Sequence, residues 1–291
     1  MPFYLKKAEK PGRAVRRVCS EHIRWALLRL RKSRHPAAIH AVRKEIKKLR
    51  AILRLVQDEI NPNDHCKLEK ALRRAAGQMA APRDARVMFK AFEKLAGRQA
   101  KRNYPRLHHA LEKHCHYEGR RFRGDDSAEL ARRILQKTGR RIARIKINQA
   151  GWAAINPGLL EGYRQGARAA KLTSRQPLPE HYHAWRKHVK TLWYQLRFLC
   201  PEWPAAGRAI IGKLDRLGIL LGDDHDLALL RDFATAHPQP GETSKLNRLI
   251  AARQKKLRAA ARKLGSQLYR EAPPAICDRL GKIWNAWHGK D

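Results

Sequence analysis

His40-Ala41-Val42-Arg43-Lys44-Glu45-Ile46-Lys47-Lys48-Leu49 returns 143 residues later as His183-Ala184-Trp185-Arg186-Lys187-His188-Val189-Lys190-Thr191-Leu192. At roughly 100° per residue, a helix over the first segment sends Val42, Ile46, Leu49, Leu53 and Val56 to one face. His40, Arg43, Lys44, Lys47, Arg50 and Arg54 take the opposite face with no acid among them, and Glu45 falls on the flank. In the second segment Trp185, Val189, Leu192, Leu196 and Leu199 make the apolar face, while His183, Arg186, Lys187, Lys190, Tyr194 and Arg197 make the other. Each polar stripe is about 21 Å long at the helical rise of 1.5 Å per residue.

Outward from these segments the match continues, pairing Leu53 with Leu196, Arg54 with Arg197 and Arg74 with Arg216. Arg83-Asp84 corresponds to His225-Asp226 at an offset of 142, one gap away from the first register. Two marks in one order at nearly one spacing indicate an internal duplication. The expectation is an all-α fold: a single domain over 1–291 made of two helical repeats, 1–147 and 157–291, packed with approximate two-fold symmetry. The sparsely charged stretch Asn148 to Pro157 separates them, and Asp126-Ser127 is placed to cap a helix running toward Ile147. Alternating strand patterns are missing, and Pro36, Pro62, Pro82, Pro157, Pro179 and Pro273 fall where helices start or stop.

The charge is lopsided: 64 Lys and Arg against 26 Asp and Glu give +38, with 14 His besides. A surface so basic repels itself and calls for a polyanion nearby. A hydrophobic content of 43% with seven Trp is too apolar for a disordered basic chain. Five cysteines at wide spacings, with no C-x-x-C pair, suggest reduced, mostly buried thiols in a cytosolic protein. Lys6, Lys7, Glu9 and Lys10 precede any apolar run, so no secretory signal is expected, and no segment is apolar for long enough to insert in a membrane.

Exposed helix faces ordinarily mix signs, because like charges four residues apart oppose the helix by a few tenths of a kcal/mol. Arg43 and Lys47, and Lys44 and Lys48, are such pairs, and Arg186 with Lys190 repeats the first of them. Repetition at matching positions favours a ligand over chance.

The twin patterns His-x-x-Arg-x-x-x-Lys-x-x-Arg, at His40, Arg43, Lys47 and Arg50, and His-x-Trp-Arg-Lys-x-x-Lys-x-Leu-Trp-Tyr, from His183 to Tyr194, resemble the CHAD domains, the histidine-containing α-helical domains. Leu221-Gly222-Asp223-Asp224-His225-Asp226 is similar to the family's Leu-Gly-x-x-x-Asp element, whereas its counterpart Met79 to Asp84 lacks the Leu-Gly. The resemblance covers nearly the whole chain. It implies two pseudo-symmetric bundles around a basic central cavity that binds inorganic polyphosphate, often at polyphosphate granules. Tyr163-Arg164 and Arg168 resemble the helix that precedes the second histidine, which puts Arg164 and Arg168 among the expected ligands; Arg17 and Arg24 are further candidates for the lining.

The residue chemistry independently suits a phosphate chain, which has dense charge and no bases. Arg can fork two donors onto phosphate oxygens, Lys adds a mobile point charge, and histidine beside a polyanion gains a proton. Arg253, Lys255, Lys256, Arg258, Arg262 and Lys263 form another cationic helix that reads more simply as a solvated face. Asp223-Asp224-His225-Asp226 raises the alternative of a metal-dependent phosphohydrolase, but neighbours on a helix diverge, and the other repeat puts Arg83 where His225 stands. Asp84 and Asp226 are read as helix caps or as acids orienting an Arg. No catalytic residue, metal or cofactor is expected. Nucleic acid is the harder rival, since it shares the phosphate contacts, but Trp185, Trp193, Trp284 and Trp287 fit packing better than base stacking. Incidental nucleic-acid binding is expected from charge alone, and the location expected is cytoplasmic.

Overall fold

The apolar faces read from the sequence are buried. Ile46, Leu49 and Leu53 of the first segment and Val189, Leu192 and Leu196 of the second are all at most 2% exposed. The computed structural model describes residues 1–32, 36–201 and 203–289, and they form an all-α structure with no strand among them. Its helices are α1 (Pro11–Lys32), α2 (Pro36–Leu55), α3 (Pro62–Gly77), α4 (Ala80–Ala96), α5 (Ala100–Asn103), α6 (Pro105–Gly124), α7 (Ser127–Ile142), α8 (Asn156–Arg175), α9 (Pro179–Leu199), α10 (Ala205–Ala236), α11 (Glu242–Leu268) and α12 (Pro273–His288). Proline opens α3, α6, α8, α9 and α12 at the first or second position, where its missing N–H is no loss.

Two local expectations change. The donor at the start of α7 is taken by Asp125, whose Oδ1 accepts from the Ser127 N–H at 2.9 Å, and the Asp126 side chain makes no cap. That helix also stops at Ile142 and not near Ile147. Arg16 donates to the Ile145 carbonyl at 3.0 Å, and Ile147 lies against Gly12, so the chain leaves the helix to pack on the start of α1.

Helices α1, α2, α3 and α7 pack on one another, α8 to α10 form a second group, and α2 crosses α9 between them. The buried apolar residues form two clusters that do not divide at 148–157. The larger draws on α1, α2, α3 and α7 together with α8, α9, α12, the first half of α10, Phe122 of α6, and Ala261 and Leu268 of α11. The smaller joins α4 to α6 with α11 and the second half of α10. Helix α10 has 32 residues and threads both: Leu214, Leu217 and Leu221 belong to the larger, Leu227, Leu230 and Phe233 to the smaller. Likewise Met79 at the start of α4 belongs to the larger cluster and Ala85 and Met88 to the smaller. Between the two cores α4 contributes Arg83-Asp84 and α10 contributes Asp223 to Asp226, a polar seam where apolar packing changes hands. No described helix is long and apolar enough to cross a membrane.

Candidate functional site

The seam is where the histidine helices meet it. His40, Arg43 and Lys47 from α2, Arg83 from α4, His183 and Arg186 from α9, and His225 from α10 are mutual electrostatic neighbours. The His183 and His225 rings lie 4.1 Å apart between centroids, tilted by 35°. Among the described residues, Asp84 and Asp226 are the acids set against this charge: Arg83 donates to Asp84 at 2.7 Å and lies 3.6 Å from Asp226. Neither acid caps a helix, because Asp84 is the fifth residue of α4 and Asp226 lies in the middle of α10. Their geometry is that of acids orienting Arg83. Arg43 also donates to the Ala76 carbonyl at the end of α3.

Crowding shifts the titration of these groups. The Lys47 ammonium is pushed down to about 7, first by desolvation and then by Arg186, Arg83 and Arg43. Yet Lys47 is exposed. Contact with water but little bulk water around it is the property of a concave wall. His183 is lowered to about 4 by desolvation, then by Lys187, Arg186, Lys47 and Arg83. His225 is lowered to about 3, by desolvation and then by His183, Arg186 and Arg83. Nδ1 of His183, Nε of Arg186 and Oδ1 of Asp226 are buried without a hydrogen-bond partner among the described residues.

Two recesses flank the cluster. One, of about 550 Å³, is lined by Lys90, Lys94, Arg253 and Asp226 over an apolar floor of Val87, Leu95 and Leu227. The other, of about 630 Å³, lies among Lys44, Lys48, Arg197, Arg208, Trp193 and Tyr4. Lys190 bridges the cluster and this second recess: it reaches Asp215 at 3.3 Å and lies 4.3 Å over the Trp193 ring, while Arg197 lies 4.6 Å from the same ring. Two glycines of α10 allow that crossing. A Cβ at Gly218 would stand 2.7 Å from Cε of Lys190, and one at Gly222 would stand 3.4 Å from Nε of Arg186. This gives the Leu221-Gly222 element a local reason: α9 lays its cations across a smooth strip of α10.

Several residues expected in one basic lining lie elsewhere. Arg50 and Arg54 both pair with Glu69 of α3, at 2.9 and 3.0 Å, so the stripe on α2 is acid-free on its own helix but not in space. Lys187 faces that group, beside Arg50, Arg54 and Arg73. Arg17 is a correction: its fork is engaged by Glu9 at 2.8 and 2.7 Å and by the Tyr4 carbonyl, and it anchors the N-terminal segment. Arg24 is exposed on α1, and no described interaction ties it to the cluster. Arg164 lies beside Cys277 of α12 and Arg168 is exposed, and no described interaction ties either to the cluster. Tyr194 is buried edge-on to Phe3, with Arg186 and Arg197 near its hydroxyl. The quartet Asp223 to Asp226 disperses: Lys94 takes Asp223, Arg258 takes Asp224, the His225 ring lies tilted against His183, and Asp226 faces Arg83.

The CHAD domain family model matches residues 14–235. The chain belongs to the CHAD domain family. A crystal structure of the CHAD domain from the plant Ricinus communis matches with a TM-score of 0.64 at 18% identity, covering 97% of this chain and 94% of that one. At that identity the likeness speaks for the fold. No curated protein matches the chain. In this CHAD domain the candidate site extends beyond the two histidine helices. Arg83, His225 and Lys90 belong to the cluster, and the repeated Arg83-Asp84 and His225-Asp226 dyads are the sequence signal that points to the first two.

Proposed function

We propose that this protein binds inorganic polyphosphate, without turning it over, in a basic central cavity between two related bundles. The observation that carries this reading is the convergence of His40, Arg43, Lys47, Arg83, His183, Arg186 and His225 from four helices, with the carboxylates of Asp84 and Asp226 set against them among the described residues. Such crowding lowers the stability of the free protein and is relieved by a polyanion. A phosphate chain entering by the recess at Lys90 and leaving by the one at Lys44 and Arg197 would pass this cluster. The expected duplication, with its two histidine-led helices, supplies the opposing walls. The resemblance of the motifs to polyphosphate-binding CHAD domains supports the ligand class, and with it a cytoplasmic place at polyphosphate granules.

Base stacking finds little support. Every Trp is buried or half-buried, and Trp193 is flanked by Lys190 and Arg197. In competition at physiological salt, long-chain polyphosphate is therefore expected to displace bound single-stranded and duplex DNA. Displacement in the opposite order refutes the reading. Affinity should also fall steeply with salt, as several phosphates are neutralised at once.

A subtler change separates binding from folding. Gly218→Ala is expected to weaken polyphosphate binding severalfold, because the new methyl pushes Lys190 off its path between Asp215 and Trp193. Only the flexible end of a lysine must move, and alanine favours a helix interior by about 1 kcal/mol over glycine. The melting temperature should thus stay level or rise, and a large fall in it would show that the strip serves packing instead.

A further inference from the structure

We propose that the seam between α3 and α7 is a second phosphate-chain site, separate from the central cluster, so that one protein holds two chain segments. This rests on the phosphate-chain reading above and extends it to another face. Two recesses, of about 510 and 250 Å³, lie along the seam, and Arg141 lines both. One wall is Lys67, Lys70 and Arg74 of α3, and the other is Lys137 and Arg141 of α7 with Arg144 just past its end. Both sets are spaced by three and four residues, which places a cation roughly every 4.5–6 Å along each wall. All six are exposed, and none is ion-paired among the described residues.

Two of the three acids of these helices are committed away from the cations. Glu69 of α3 holds Arg50 and Arg54, and Glu129 of α7 holds Arg132 and Arg133. Of the two acids in the recesses, Glu59 accepts the amides of Asn148 and Gln149 at 3.1 and 3.0 Å, which leaves Asp64 at one end. Lys67, Lys70 and Arg74 lie roughly 100–160° around α3 from Glu69, so the helix itself stands between this groove and the group around Arg50. The rest of the lining mixes aliphatic and polar side chains: Ile60, Leu68 and Ile145 with Asn61, Asn148 and a further cation, Lys146, in the larger recess, and Ala71 and Ile134 with Thr138 in the smaller. No aromatic ring lines either one, so the groove suits a thin chain of phosphates and offers nothing on which a base would stack.

Titration calorimetry with a short linear polyphosphate of defined length tests this. The unmodified protein is expected to bind two chains, and Lys67→Glu with Arg141→Glu and Arg144→Glu to bind one. Lys47→Glu with Arg186→Glu should also bind one, now held in the groove alone. If that central variant binds none while the unmodified protein binds one, the α3–α7 seam is only a solvated face; the proposal fails and the central reading stands. If the central variant binds as the unmodified protein does and the groove variant loses all binding, the central reading is the one that fails. Far-UV circular dichroism checks folding, and the milder pair Arg141→Gln and Arg144→Gln should weaken the groove about tenfold, close to 1.4 kcal/mol. Tighter binding of a single-stranded oligonucleotide than of polyphosphate by the central variant would overturn the ligand class.

Discussion

Lys47→Glu is expected to weaken polyphosphate binding by a hundredfold or more and, in the same molecule, to raise the melting temperature of the free protein. The two effects have one cause. Lys47 stands among Arg43, Arg83 and Arg186, and its ammonium is pushed down to about 7, first by poor solvation and then by that company. A carboxylate at this position turns three repulsions into attractions and reduces the positive potential where phosphate would sit. A charge-assisted hydrogen bond contributes about 1.5–3 kcal/mol, and the added repulsion of a phosphate makes a loss of roughly 3–4 kcal/mol reasonable, hence the hundredfold. Lys47→Met separates the contributions: it removes one cation without adding an acid, and should weaken binding less while still raising the melting point. Measurement needs only calorimetric titration and a thermal melt of each variant. Unchanged affinity with intact helicity would take the ligand away from the seam. A lower melting point would mean that the cluster stabilises the free fold rather than burdening it.

The all-α fold is legible in the sequence because its apolar period is helical and its prolines sit at helix starts. Val42 to Leu53 and Trp185 to Leu199 show this most clearly. The site is legible only in part, since a helical wheel reports which residues share a face and not what the next helix presents to it. Arg50 and Arg54 share a stripe with Lys47, but Glu69 lies fifteen residues beyond Arg54 and meets them only after α3 packs on α2. Arg17 fails for the same reason, because Glu9 belongs to a segment whose docking no periodicity reveals. Arg83 and His225 carry a visible mark as a repeated dyad, yet their place depends on α4 and α10 each passing from one apolar cluster to the other at that point. The core of a helix can be read one helix at a time, and the polar seam between cores cannot.

Acidification is expected to tighten polyphosphate binding about tenfold for each histidine that gains a proton, between pH 7.5 and 5.5. In the free protein His183 titrates near 4 and His225 near 3, against an ordinary 6.5. The groups facing the pair are Lys47 from α2, Arg83 from α4 and Arg186 and Lys187 from α9, all cationic, with Asp226 beside them on α10. The sign follows from proton counting. Between the lowered values and 6.5 the unfolded chain binds more protons than the folded one, so stability rises with pH across that window and is lost as pH falls below 6.5. His40, lowered by desolvation and then by Arg83, adds to the same trend. A phosphate chain on the cluster supplies the missing negative charge and moves the histidines back toward their ordinary range. Proton uptake then accompanies binding, and at a pH one unit below a restored pKa of about 6.5 each histidine contributes roughly tenfold in affinity. Lys47 acts in the same direction, since below pH 7 it is charged before the ligand arrives. Melts from pH 5 to 8 should therefore slope steeply for the free protein and run nearly flat with saturating long-chain polyphosphate. His183→Gln with His225→Gln should reduce both the acid loss of stability and the acid gain of affinity. If the two melting curves run parallel, the ligand does not reach this histidine pair, and the cations that depress the rings are not the ones that hold the chain.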